Sequence, residues 1–170
     1  MAFQSSVALN QGFGVVGDIV FEGPTRATPG VVKVGSGGAD ATDIVVGRAF
    51  TIDAADGQYY PGGTGVFGGI LANSNAYASY GDVSYGTSAG GSLAPTLVLP
   101  AGEVGEFLEM GEIVVQLSNA AAIGAAVKFN NTTGVLSSGA PDAGETAVPN
   151  AKVVRYANAA AGLAVVRLTN

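Results

Sequence analysis

"QGFGVVGDIV", residues 11–20, contains Gly12-x-Gly14-x-x-Gly17, the letter pattern of a dinucleotide-binding turn. A true turn of that kind would make the chain an α/β protein. It needs a buried strand before the glycines and a helix after them, whose N-terminus receives the pyrophosphate. Neither flank fits. Residues 1–11, MAFQSSVALNQ, are polar and alternate only weakly. After Gly17 come the β formers Ile19, Val20 and Phe21, and then Pro24 and Pro29, which prevent a long helix. The acidic residue that should hold the ribose roughly 20 positions on is represented only by a late Asp40. The stretch therefore reads as a flexible arm, residues 1–12, running into the first strand of a β-domain that occupies 13–170.

The rest of the chain supports an all-β fold. Short β-branched runs recur between Gly, Pro and Asn/Asp/Ser clusters: DIVF (18–21), VVKV (31–34), DIVVGRAFTI (43–52), TGVFGGIL (64–71) and TLVLP (96–100). They continue with EFLEMGEIVVQL (106–117), AAVKFN (125–130), KVVRYA (152–157) and GLAVVRLT (162–169). Runs of this length with turn signals between them predict a barrel-like or sandwich domain of short antiparallel strands. NNTTGVL (130–136) is a hairpin connection, because Asn131 and Gly134 tolerate positive φ. DAADG (53–57) lacks the ligand spacing of a calcium loop and predicts a turn capped by Asp53 and closed by Gly57.

An internal echo suggests two halves. Gly17-Asp18-Ile19-Val20 matches Gly111-Glu112-Ile113-Val114, and each is followed by a β run carrying one lysine, Lys33 or Lys128. SGGADA (36–41) resembles SGAPDA (138–143), and VVGRA (45–49) resembles VVRYA (153–157). This predicts a duplicated three-strand unit, with the alanine-rich 118–124 acting as a connection or single turn and not as a core helix. Between the halves lies an insertion, 57–95, that holds Tyr59, Tyr60, Tyr77, Tyr80 and Tyr85 among Gly, Ser and Asn. That alphabet suits adaptable contact surfaces, since Tyr supplies area at low entropic cost. It also suits a plain surface hairpin with half-buried tyrosines.

Composition narrows the function. A chain of 170 residues can bury a sizeable core. Only 12% of residues are charged, about half the usual share, so part of the surface is expected to meet a partner. The net charge is −6 and the seven basic residues are scattered, which argues against nucleic-acid binding. Without cysteine there are no disulfides and no thiolate metal sites, as fits synthesis in a cytoplasm. The first ten residues lack the basic region and apolar core of a signal peptide, and no run approaches the roughly 18 apolar residues of a membrane span. A soluble protein is expected, with no membrane partner.

Catalytic chemistry is sparse. Histidine is absent, which removes the commonest general base and most zinc sites. Glu103, Glu106, Glu109 and Glu112 recur every third residue, but on a strand they alternate sides and cannot converge on one ion. They read as solvated edge or loop charges. No enzyme, metal or cofactor is expected.

At MAFQ (1–4), GVVGD (14–18) and GPTRA (23–27) the chain resembles the capsid cement, or decoration, proteins of tailed bacteriophages. VVGRAFTID (45–53), GEIVV (111–115) and NNTTGVL (130–136) are similar too. The resemblance implies a β-domain on the outer surface of the virion, made in the host cytoplasm, which clamps neighbouring major capsid subunits after the shell expands. It offers no catalytic residues to carry over. Contacts to shell or sister subunits are expected from the arm (Phe3, Val7, Leu9, Phe13) and from the tyrosines (Tyr59, Tyr60, Tyr77, Tyr80, Tyr85). A homotrimer is favoured over a dimer, because three-fold positions bridge the most capsomers. The rival reading is a receptor- or glycan-binding module of a phage tail or cell surface, with the tyrosines as its platform.

Overall fold

The computed structural model describes residues 14–20, 23–34, 41–73 and 98–169. Among them the chain is all-β, with one short 3-10 turn at Ala41–Asp43. The first half supplies β1 (Ile19–Val20), β2 (Arg26–Val31), β3 (Ala49–Ile52), β4 (Tyr59–Pro61) and β5 (Val66–Leu71). The second supplies β6 (Val104–Leu117), β7 (Ala126–Asn130), β8 (Leu136–Ser138), β9 (Glu145–Arg155) and β10 (Gly162–Leu168). They form one antiparallel sheet of ten strands in the order β4-β3-β5-β6-β10-β9-β7-β8, with β1 and β2 both along β6. A single parallel bridge between Val32 and Tyr59 draws the β4 edge back towards the end of β2, without closing a barrel.

Most of the sequence runs contain a strand with narrower limits, while among the described residues TLVLP contributes only the bridge of Val98 to Val45. VVKV moves: β2 precedes it and carries Pro29 and Gly30. Among the named strands β2 pairs with β6 alone, and there proline costs no ladder bond to a second neighbour. Strands β4 and β8 and the first half of β9 are additions. Three residues are too few to show a period, and Pro149 with Asn150, at φ 49°, interrupts β9 where its register with β7 shifts. Residues 118–124 form a connection, with no helix.

β6 organises the sheet. Its first part, to Met110, pairs with β2 and β5; from Gly111 on it pairs with β10 and β1. Gly111 sits at the changeover with φ 128°. Neighbouring residues of the central strands enter different cores. Ala49, Ile70 and Leu108 belong to the larger cluster with Ile113, Phe129 and Val166. Phe50, Leu71 and Phe107 belong to the smaller one with Val32, Ile44 and Tyr59. A sheet covered on both faces needs unbroken apolar runs, which is why AFTI and VFGGIL do not alternate.

The sheet repeats itself. In the first half the order is β4-β3-β5-β6-β2; in the second it is β8-β7-β9-β10-β6, with every corresponding pair antiparallel. β6 is thus the closing strand of one five-strand unit and the opening strand of the next. Residues 44–62 match residues 121–139 at a constant spacing of 77. The hairpin pairs Phe50↔Pro61, Thr51↔Tyr60 and Ile52↔Tyr59 become Val127↔Ser138, Lys128↔Ser137 and Phe129↔Leu136. Gly47 N–H donates to the Leu71 carbonyl and Gly124 N–H to that of Val153, both at 2.7 Å. Asp53 N–H donates to Gln58 O and Asn130 N–H to Val135 O, at 2.9 and 3.0 Å. The structural repeat pairs VVGRA with AIGAA (122–126), and not with VVRYA. The Gly17 and Gly111 echo lies elsewhere: its two copies are neighbouring strands, with Ile19 directly opposite Ile113.

Candidate interaction surfaces

The charged side chains of the described residues largely bind one another. Lys33 Nζ, just beyond β2, bonds Asp53 and, at 2.8 Å, Asp56, clasping the β3–β4 turn. Lys128 Nζ on β7 bonds Asp142 at 2.9 Å and Glu145 at 2.6 Å across the turn that leads into β9. The ammonium bonds pull these four carboxyls below the usual carboxylate range, and both lysines are pushed up. Arg48 is held by Asp43 and by the Thr133 carbonyl at 3.2 Å.

The glutamates of β6 are not uniformly solvated. Glu109 accepts bonds from Arg26 at 2.9 Å and Thr28 at 2.7 Å near the surface. Glu112 is only 7% exposed. Its Oε1 accepts two bonds from Arg167, at 2.8 and 2.6 Å, while its buried Oε2 lies 3.6 Å from Arg155 Nη2 with no hydrogen bond among the described residues. The register places Glu112 opposite Arg167 and Val20 at once, so burial follows from strand pairing that sequence spacing does not reveal. Among the described residues no group of His, Cys, Asp and Glu is placed to hold a metal ion.

Of the nine residues expected to make contacts, Phe3, Val7, Leu9, Phe13, Tyr77, Tyr80 and Tyr85 lie outside the described residues. Tyr59 is buried, with its ring stacked on Phe107 at 4.0 Å and tilted only 11°, and Phe107 meets Phe50 at 5.2 Å. Its area is committed to the core of its own chain. Tyr60 is half-buried on the opposite face, with Lys33 Nζ 5.9 Å from its ring centre. Strand alternation sends these adjacent tyrosines to different environments.

The surface left over is apolar in patches. Val31 and Val104 are directly opposed on β2 and β6 and are 38% and 54% exposed, with Val34 close by in sequence at 42%. A cleft of about 270 Å³ is lined by Val15, Val16, Val45, Val46, Val135 and Leu136. Ile123, at 65% exposure, caps the turn before β7.

No curated protein matches the chain. A solved structure titled "The capsid of Myoviridae Phage XM1" has a chain with the same fold. The TM-score is 0.65 over 100% of this chain and 99% of that one, at 18% identity. The model of the family described as structural cement protein (E217 gp24/Pam3 gp6) matches residues 3–169. The chain belongs to this family of phage structural cement proteins.

Proposed function

We propose that the protein binds the outer face of an expanded icosahedral phage capsid and clamps neighbouring major capsid subunits. The family match across residues 3–169 carries the reading. The surface supports it: clasped lysines and carboxylates leave few free charges, and exposed valines offer modest apolar contacts. Repeated by symmetry, modest contacts suffice, because a multimer that bridges several subunits gains avidity without any single tight contact. The arm residues Phe3, Val7, Leu9 and Phe13 and the tyrosines Tyr60, Tyr77, Tyr80 and Tyr85 supply contacts to the shell or between sister chains, and the oligomer is a trimer.

Co-sedimentation of the purified chain with procapsids and with expanded empty capsids tests this. Saturable binding to expanded shells alone, with raised heat resistance of those shells, is the expected result. Binding to neither form would overturn it. Deleting residues 2–12 is expected to lower capsid occupancy, and unchanged occupancy would remove the arm from the contact set.

A further inference from the structure

Within one chain the two units share β6 and the larger core, and a turn of the second unit also grips the first. The Gly134 carbonyl accepts from Ala49 N–H at 2.9 Å, the Asn131 carbonyl accepts from Gly63 N–H at 2.6 Å, and the Thr133 carbonyl accepts from Arg48. A Cβ at Gly62 would lie 2.6 Å from the Asn131 oxygen, so only glycine admits the approach.

At a spacing of 77 each partner has a counterpart. The gripping turn 130–134 corresponds to 53–57, and the gripped residues Ala49, Gly62 and Gly63 correspond to Ala126, Gly139 and Ala140. The hairpin bond is kept: Gly62 N–H donates to Ala49 O and Gly139 N–H to Ala126 O, both at 2.9 Å, while φ differs, 68° at Gly62 and 113° at Gly139. Yet these counterparts are bare. Ala49 is fully buried and Ala126 exposed; Val46 is 5% exposed and its counterpart Ile123 is 65% exposed. Among the described residues nothing lies within 4 Å of a Cβ placed at Gly57, Gly124 or Gly139. Among the described residues the first unit's turn, clasped by Lys33 of its own unit, and the second unit's edge thus each lack the partner of a contact the chain already makes with itself.

We propose that in the assembled protein the 53–57 turn of one chain docks on the Ala126–Gly139 edge of a second copy. Ala54 takes the place of Asn131, Gly57 that of Gly134, and Ala140 that of Gly63. The small side chains of Ala54 and Ala55 allow equally close approach. Asp53 and Asp56 of the turn are held by Lys33 of the same chain, so the contact rests on close backbone approach and not on charge. A contact between two different surfaces builds rings, or filaments if it fails to close, and not two-fold dimers. The inference names the surface joining the chains of the proposed trimer and rests on that reading only for the existence of an oligomer.

The chain has no cysteine, which allows a clean test. Ala54→Cys and Ala140→Cys change exposed residues on opposite sides of the contact. Each variant alone, and the two mixed, would be oxidised both free in solution and bound to expanded shells. The expected result is a covalent dimer in the mixture, in either state, at about ten times the yield of each variant alone, with Ala126→Arg on the Ala140→Cys chain cancelling the excess. No excess in both states, or an excess indifferent to Ala126→Arg in a chain with unchanged circular dichroism, would overturn the proposed surface. Shell binding is read on the same samples. Retained shell binding without crosslinks overturns this surface alone, and crosslinks without shell binding overturn the cement reading alone.

Discussion

Gly57 and Gly134 hold one backbone conformation, φ 72° and 70°, at equivalent places in two equivalent turns, but their surroundings are opposite. A Cβ at Gly57 meets open space, whereas one at Gly134 would press on the Ala49 carbonyl and the Gly62 amide. Gly57→Ala should cost only the left-handed backbone penalty, about 1–2 kcal/mol. Gly134→Ala should cost that and about 1–3 kcal/mol more for overpacking. Urea unfolding of the two variants checks the difference, and equal losses would mean that the 130–134 turn does not hold the units together.

Two carboxylate–arginine pairs on β6 offer a second comparison. Arg26–Glu109 is a surface pair, its arginine side chain 50% exposed and its carboxylate 26%. Arg26→Ala should cost no more than about 1 kcal/mol. Arg167 serves a carboxylate whose side chain is 9% exposed. Arg167→Ala leaves that buried charge short of its two bonds and should cost about 1.5–3 kcal/mol. Salt should erase the first loss more readily than the second.

Phe107 is the keystone of the smaller core, fully buried with Tyr59 stacked on it and the Phe50 ring tilted against it at 57°. Phe107→Ala should lower the unfolding free energy by about 3–5 kcal/mol. A loss below about 1 kcal/mol in chemical denaturation would show that this core is not packed as described.

The lysine clasps set the pH dependence. Bonds from Lys33 and Lys128 lower the carboxyls of Asp53, Asp56, Asp142 and Glu145. Their stabilisation is complete above the unfolded carboxyl values near about 4 and is lost as pH falls through the lower folded values. The lysines are raised, so their share is complete below about 10.4 and is lost only as pH climbs past their folded values. Melting temperature should therefore hold level from about pH 5 to 9 and fall in acid. Lys128→Met should start lower and lose less on acidification; an acid slope unchanged by the substitution would rule the clasp out as its source.

The sequence by itself determined the fold class and the turns. Short β-branched runs cannot be long helices, and Asp53 with Gly57 dictates its turn through a local bond, Ala55 N–H to Asp53 Oδ1 at 2.9 Å. The second turn lies where NNTTGVL predicts it, but positive φ falls on Gly134 and not on Asn131, and the cap is Asn130, which accepts from Thr132 N–H at 2.9 Å. It also carried enough family character for the cement-protein resemblance. The tertiary structure alone decided which strands are neighbours. Strand pairing joins residues far apart in the chain, and backbone hydrogen bonds carry no letter code that marks a partner. Hence Glu112 reads as a solvated charge until β10 lies beside it, and Tyr59 reads like Tyr60 until Phe107 stacks on it. The 77-residue repeat was hidden for the same reason. Between 44–62 and 121–139 the identities are Ala49/Ala126 and the positive-φ glycines 47/124, 57/134 and 62/139, while the other side chains differ.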